Sequence, residues 1–227
     1  MAITKTLSGF SNEEVKAMGQ ALAEMWDWHA VAIEEIDGYA SCTLQVGNSR
    51  IEIKHSNKYY TNAEIYVPQS DNYIFSKNVY EMNLLIRATR TESALLLQFG
   101  SGSIEPYINA TTVIISYATN HFTGIKEPVL SIFENPAIDT TGDDTVLKTF
   151  IASQDVIQGK TSQKSIGYVN SNSAVSVLTP FFYRDSRCTL DDVYIFTAYQ
   201  PPYLYRGDCT INGKRYYVCN LIAALDE

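Results

Sequence analysis

Two residues near the C-terminus, Asn212-Gly213, constrain this chain more than any others. They sit between Cys209-Thr-Ile211 and Lys214-Arg-Tyr216. An Asn-Gly pair supplies the two positive-φ positions that a type I′ turn demands, so the segment reads as a tight β-hairpin. A two-residue loop pairs Ile211 with Lys214 and Cys209 with Tyr216. The surrounding stretch, Phe181 to Leu225, reads as strand, turn, strand and is crowded with tyrosine. That points to an all-β, aromatic-faced protein.

The period-two pattern extends over most of the chain. Cys42 to Val46, Gly47-Asn48 and Ser49 to Ile53 form a second hairpin. Pairing Val46 with Ser49 puts Cys42, Leu44, Val46, Ile51 and Ile53 on one face, and Thr43, Gln45, Arg50, Glu52 and Lys54 on the other. A strand over Ala63 to Val67 is expected to end at Pro68. Asn83 to Ala88 and Ala94 to Phe99 flank the turn Arg90-Thr-Glu-Ser93. The continuous runs Leu84-Leu-Ile86 and Leu95-Leu-Leu97 predict strands covered on both faces. Thr111 to Tyr117, Ser165 to Val169, Val175 to Leu178, Val193 to Tyr199 and Arg215 to Ile222 are further strands. Val146 to Val156 reads as a short helix or an edge strand. Helical patterns between strands, which a parallel α/β sheet requires, are missing. The expected fold is therefore mainly β, an antiparallel β-sandwich or jelly roll.

One helix precedes the strands. Ser11-Asn-Glu-Glu14 is a capping box, and Val15, Met18, Leu22 and Met25 follow as a narrow apolar stripe. Either the stripe lies on the chain's own sheet, or it packs on neighbouring subunits as an arm. Residues 1–28 are read as a helical arm ahead of a β-sandwich domain over 29–227. The loop Glu134 to Thr145 is the boundary if that domain divides into lobes 29–135 and 145–227.

The 227 residues can bury about 70% of their unfolded surface without metal or disulfide. A formal net charge of −8 with no basic run argues against binding nucleic acid or a membrane surface. No stretch approaches the ~20 apolar residues of a transmembrane helix. The N-terminus lacks a signal-peptide core, so synthesis in a cytoplasm without signal-directed export is expected. Cys42, Cys188, Cys209 and Cys219 form no C-x-x-C pair, and Cys209 and Cys219 fall on opposite strand faces; reduced thiols are expected.

No motif names a reaction. His29, His55 and His121 are far apart and lack metal-ligand spacing. Gly100-Ser-Gly102-Ser matches no phosphate-binding pattern. Asp139, Asp143 and Asp144 share a loop without calcium-loop spacing. Arg206-Gly207-Asp208 is read as a chance tripeptide, and the sequon Asn109-Ala-Thr111 as unused. No catalytic, metal or cofactor residue is assigned. Tyr199, Tyr203 and Tyr205 surround Pro201-Pro202 as an aromatic surface suited to protein or sugar contact, with Arg206 beside them. The helix stripe is the other candidate interface.

The C-terminal run Gly-Asp-Cys-Thr-Ile-Asn-Gly-Lys-Arg-Tyr-Tyr-Val-Cys-Asn, ending at Leu225-Asp226-Glu227, resembles virion proteins of tailed bacteriophages. The acidic, Tyr- and Asn-rich β body behind a short helix does so too. The resemblance covers mainly residues 181–227 and implies a non-enzymatic structural component of the tail, neck or baseplate. It would be a homo-oligomer in contact with other virion proteins, located in the virion and made in the host cytoplasm. A receptor- or carbohydrate-binding module that meets a host surface glycan is the alternative, and a hydrolase the second alternative.

Overall fold

The computed structural model describes residues 1–26, 30–57, 60–70, 73–81, 84–101, 112–133, 177–182, 188–197, 206–219 and 222–227. In chain order its elements begin with β1 (Ile3–Ser8), α1 (Asn12–Met25), β2 (Ala30–Ile36), β3 (Tyr39–Val46), β4 (Ser49–Asn57), β5 (Tyr60–Ser70) and β6 (Tyr73–Glu81). They continue with β7 (Leu84–Arg90), β8 (Ala94–Ser101), β9 (Thr112–Asn120), β10 (Lys126–Phe133) and β11 (Val177–Phe182). The last are β12 (Cys188–Thr197), β13 (Arg206–Ile211), β14 (Lys214–Cys219) and β15 (Ile222–Leu225). All pairings are antiparallel. Strands β2 to β6 form a five-stranded meander. The larger sheet runs β1-β7-β8-β9-β12-β15-β14-β13, with β10 also along β9 and β11 also along β12. The result is a curled sheet with a second sheet packed on it, a sandwich-like arrangement.

Both predicted hairpins keep their predicted registers. Ile211 faces Lys214 and Cys209 faces Tyr216, and Asn212 and Gly213 take φ of +52° and +79°, the type I′ signature. Val46 faces Ser49 and Cys42 faces Ile53. There, Gly47 alone of the turn pair has a positive φ, +55°, as a type II′ turn requires. The inner-face residues Cys42, Leu44, Val46, Ile51 and Ile53 are all buried. Strand β5 does not stop at Pro68: it continues to Ser70, and its register with β6 shifts between Pro68 and Ser70. A bulge is where a strand tolerates a residue without an N–H. The loop Glu134 to Thr145, the segments Val146 to Val156 and Ser165 to Val169, and hence any division into lobes, lie outside the described residues.

Helix α1 starts as a capping box. Ser11 Oγ accepts the Glu14 N–H at 3.2 Å, while the Glu14 carboxylate reaches back to the Phe10 N–H at 2.7 Å and the Ser8 hydroxyl at 2.8 Å. The chain leaves the helix at Trp26, whose φ of −149° and ψ of 117° are extended. The stripe Val15, Met18, Leu22 and Met25 is buried in the chain's own core with Cys42, Leu44 and Ile53. The reading of residues 1–28 as an arm is thereby corrected. Strand β1 pairs with β7 from Ile3↔Arg90 to Ser8↔Leu85, and a stripe only 0–3% exposed leaves nothing apolar to offer a neighbour.

Strands β8 and β9 are covered on both faces, as the leucine runs predict. Leu95, Leu97, Phe99, Val113 and Ile115 face the helix and the meander. Ala94, Leu96, Ile114 and Ala118 face a second core with Phe181, Leu190, Val193, Cys219 and Ile222. Along one edge of β9, β8 pairs over Thr112 to Ser116, and β12 takes over at Ala118 to Asn120. Tyr117 marks the handover.

Close packing of α1 fixes two expectations. A Cβ at Gly19 would lie 2.8 Å from Cys42 Cβ and 2.9 Å from Ile33 Cγ1. Gly19→Ala is therefore expected to destabilise the protein by about 1–3 kcal/mol in chemical denaturation, despite the better helix propensity of alanine. Burial pushes the Cys42 thiol up from 9.0 to about 12. Its folded-state value lies above the unfolded one, so its contribution is complete below pH 9 and lost as pH rises towards 12. The alkaline loss of stability is expected to be shallower in Cys42→Ala than in the parent, measured by urea unfolding at each pH.

Candidate functional site

The predicted site residues do not converge. The helix stripe is internal. Tyr199, Tyr203 and Tyr205 lie outside the described residues, as do His29, the acids Asp139, Asp143 and Asp144, Gly102 and Asn109. Arg206 opens β13 opposite Cys219. In the tripeptide after it, Gly207 has φ of +137°, and the Asp208 carboxylate accepts from Arg215 Nη2 at 3.0 Å. The tripeptide is thus part of a paired strand. His55 Nδ1 contacts Thr61 Oγ1 at 3.2 Å, and His121 Nε2 contacts Thr189 Oγ1 at 2.7 Å. All four cysteines are free thiols. Cys219 lies in the second core and Cys209 beside a third cluster around Tyr216, Val218 and Ala223, as the alternation along the hairpin requires.

The structure instead brings together residues that the sequence scatters. Ser93, in the β7–β8 turn, is the organising point. Its N–H donates to the Leu225 carbonyl at 3.2 Å. Its hydroxyl lies 3.0 Å from the same carbonyl and 3.2 Å from that of Asp192. Its own carbonyl accepts the Ser116 hydroxyl at 2.8 Å. One turn therefore ties β9, β12 and β15 at the handover point. Beside it opens a groove of about 350 Å³, lined by Trp26, Arg90, Glu92, Tyr117, Lys126, Asp191 and Asp192 among others.

Each groove side chain has a physical reason to be there. The Arg90 guanidinium lies 5.9 Å from the centre of the buried Trp26 ring, and Lys126 Nζ lies 4.9 Å from that of Tyr117. Both are cation–π distances. Lys126 also pairs with Asp191 at 2.8 Å, and the Thr119 hydroxyl donates to the same carboxylate at 2.6 Å. Successive residues of a regular strand point to opposite faces, yet Asp191 and Asp192 both line the groove. The left-handed backbone of Asp192, φ +55°, accounts for this. Aspartate is among the few residues that tolerate that conformation. Tyr194, whose hydroxyl is 3.5 Å from Asp192 Oδ1, stacks edge-on against Tyr216 with ring centres 5.9 Å apart. Burial, then the Asp192 charge, raises the Tyr194 hydroxyl above its ordinary value, so it remains a donor. Adjacent acids between Leu190 and Val193 break the alternation of a strand; that was the signal by which the groove could have been found.

Chemically, the groove offers hydrogen-bond donors and acceptors of both signs over aromatic walls. Among the described residues, no three histidine, cysteine or carboxylate side chains converge as a metal site would require. No described helix is long and apolar enough to cross a membrane.

A sandwich-like antiparallel β protein with a charged, aromatic-backed groove is the class these observations define. Comparison with protein-family models, curated proteins and solved structures finds no match to the chain.

A second ionic cluster follows directly on β15. Asp226, its side chain 1% exposed, pairs with Arg215 Nη2 at 3.2 Å and accepts the Ala2 N–H at 2.8 Å. Removing Asp226 leaves Arg215 with the more exposed Asp208 and Glu227, 3.0 and 3.7 Å away, but leaves the Ala2 N–H without its acceptor. Asp226→Ala is expected to cost about 1–3 kcal/mol in urea unfolding, whereas the half-exposed partner Asp208, replaced by alanine, is expected to cost under about 1 kcal/mol.

Proposed function

We propose that the protein is a non-catalytic structural subunit that works by contact with copies of itself, and that its assembly is the tailed-phage virion implied by the resemblance of residues 181–227. The observation that supports contact is the edge strand β2. Its only pairing partner among the described residues is β3, so the main-chain groups along its other side form a template for strand addition. Natural edges are blunted by charged side chains, lysine above all, by proline or by a bulge. Ala-Val-Ala-Ile-Glu-Glu-Ile has no lysine, proline or bulge, and its charges are confined to Glu34 and Glu35, the latter paired with Lys16. Ile33 and Ile36 are 38% and 51% exposed, and Phe10 is 41% exposed. Phe10 belongs to the same corner, because Asn12 binds the Gly38 carbonyl and the Ala40 N–H, both at 2.8 Å.

The occupant that fits this edge is a second copy. Antiparallel self-pairing about Ile33 sets Ile36 opposite Ala30, Glu35 opposite Val31 and Glu34 opposite Ala32. Glu35 is already bound to Lys16 at 2.5 Å. No like charges face each other, whereas self-pairing about Glu34 or Glu35 would set a carboxylate opposite its own copy. Such a contact is isologous, the commonest symmetry of homo-oligomers.

Light scattering over a concentration series is expected to show a dimer or a larger assembly built from dimers. Ala32 is exposed, and Ala32→Glu sets a carboxylate opposite Glu34 at both ends of the contact. It is expected to weaken association at least about tenfold while leaving the melting temperature of the monomer unchanged. A parent protein that is monomeric at every concentration, or association indifferent to Ala32→Glu, would overturn the proposal.

A further inference from the structure

We propose that the groove beside Ser93 is a binding site for a neutral sugar. The inference is independent of the β2 contact. It rests on which polar groups of the groove are already engaged and which are not. Asp191 is held by Lys126 and Thr119. Glu92 and Asp192 have no cation partner among the described residues, and Arg90 has no carboxylate: its guanidinium rests on Trp26. The groove thus keeps the Glu92 carboxylate, the acceptor capacity that Asp192 retains beside the Tyr194 hydroxyl 3.5 Å from its Oδ1, and the Arg90 donors, around a space of about 350 Å³. That volume lies at the small end of ligand pockets, which run from about 300 to 1,000 Å³.

The class of ligand follows by charge. Three carboxylates disfavour an anion, and both groove rings already carry a cation, Arg90 on Trp26 and Lys126 on Tyr117, which disfavours an organic cation. The carboxylates do not converge as a metal site would. An apolar ligand would strip water from five charged side chains without replacing their hydrogen bonds. A sugar hydroxyl both donates and accepts, so one pyranose can give protons to Glu92 and Asp192 and take them from Arg90.

The backbone supports the same reading. A left-handed non-glycine residue is a strained position, and here the strain turns a second acid into the groove. The two cations are held over their rings, so the donors are positioned before a ligand arrives.

The test is an array of neutral, sialylated and sulfated oligosaccharides, followed by calorimetric titration with the neutral oligosaccharide that binds best. Two variants of the full chain are compared with the parent. Asparagine tolerates the left-handed backbone as well as aspartate does, so Asp192→Asn removes the charge and spares the turn. Arg90→Gln removes the guanidinium donor. Neutral binding is expected, weakened about tenfold or more by either substitution, with thermal melting unchanged. Absence of any neutral binder, binding confined to sialylated or sulfated glycans, or neutral binding unmoved by both variants would each overturn the proposal.

Discussion

Two-sided burial of β8 and β9 is the constraint on which the rest of the structure depends. Leu95, Leu96 and Leu97 are consecutive and all 0% exposed. Side chains alternate along a strand, so three buried neighbours in a row require a core on each face. The helix and the meander supply one cover, and the C-terminal strands supply the other. The location of α1, the long C-terminal hairpins and the groove where the two covers meet all follow from that requirement. The second face also has a cost. Gln98, 1% exposed on β8, has neither amide atom hydrogen-bonded among the described residues, and the Ser131 hydroxyl on β10 likewise has no described partner. Such groups subtract from the stability that the leucines contribute.

Much of the fold was legible because it is written in local chemistry. Asn212-Gly213 and Gly47-Asn48 place their turns, and the alternation beside them fixes which residues face inwards. Asp37-Gly38 carries the same signal, with φ of +54° and +80°; it joins β2 to β3 and could have been read in the same way. The capping box at Ser11 located the start of α1 to the residue. Whether the helix stripe faced its own sheet was not legible, since Val15, Met18, Leu22 and Met25 would serve an arm equally well. Tertiary context decided it: Gly19 lets the helix approach Cys42 and Ile33 closely.

The groove was illegible for a different reason. Its residues come from the end of α1, the β7–β8 turn, the β9–β10 pair, β12 and the last strand. No local pattern relates Trp26 to Asp191. They meet because β8 stops short on β9 and β12 continues along the same edge, a long-range event set by strand lengths. The tyrosines around Pro201 drew attention by their density alone, and density does not say which surface a ring occupies.

The shared edge of β9 has a consequence for how the chain reaches its native state. Residues up to Phe133 contain everything that closes the first core. The opposite face of the same strands (Leu96, Ile114, Val129) meets its described partners only from Phe181 onwards. During synthesis those described partners are among the last residues to leave the ribosome. The C-terminal quarter supplies most of the described cover of that face. A chain cut short before it would keep a well-formed helix and meander, and would present an adhesive sheet to every other copy.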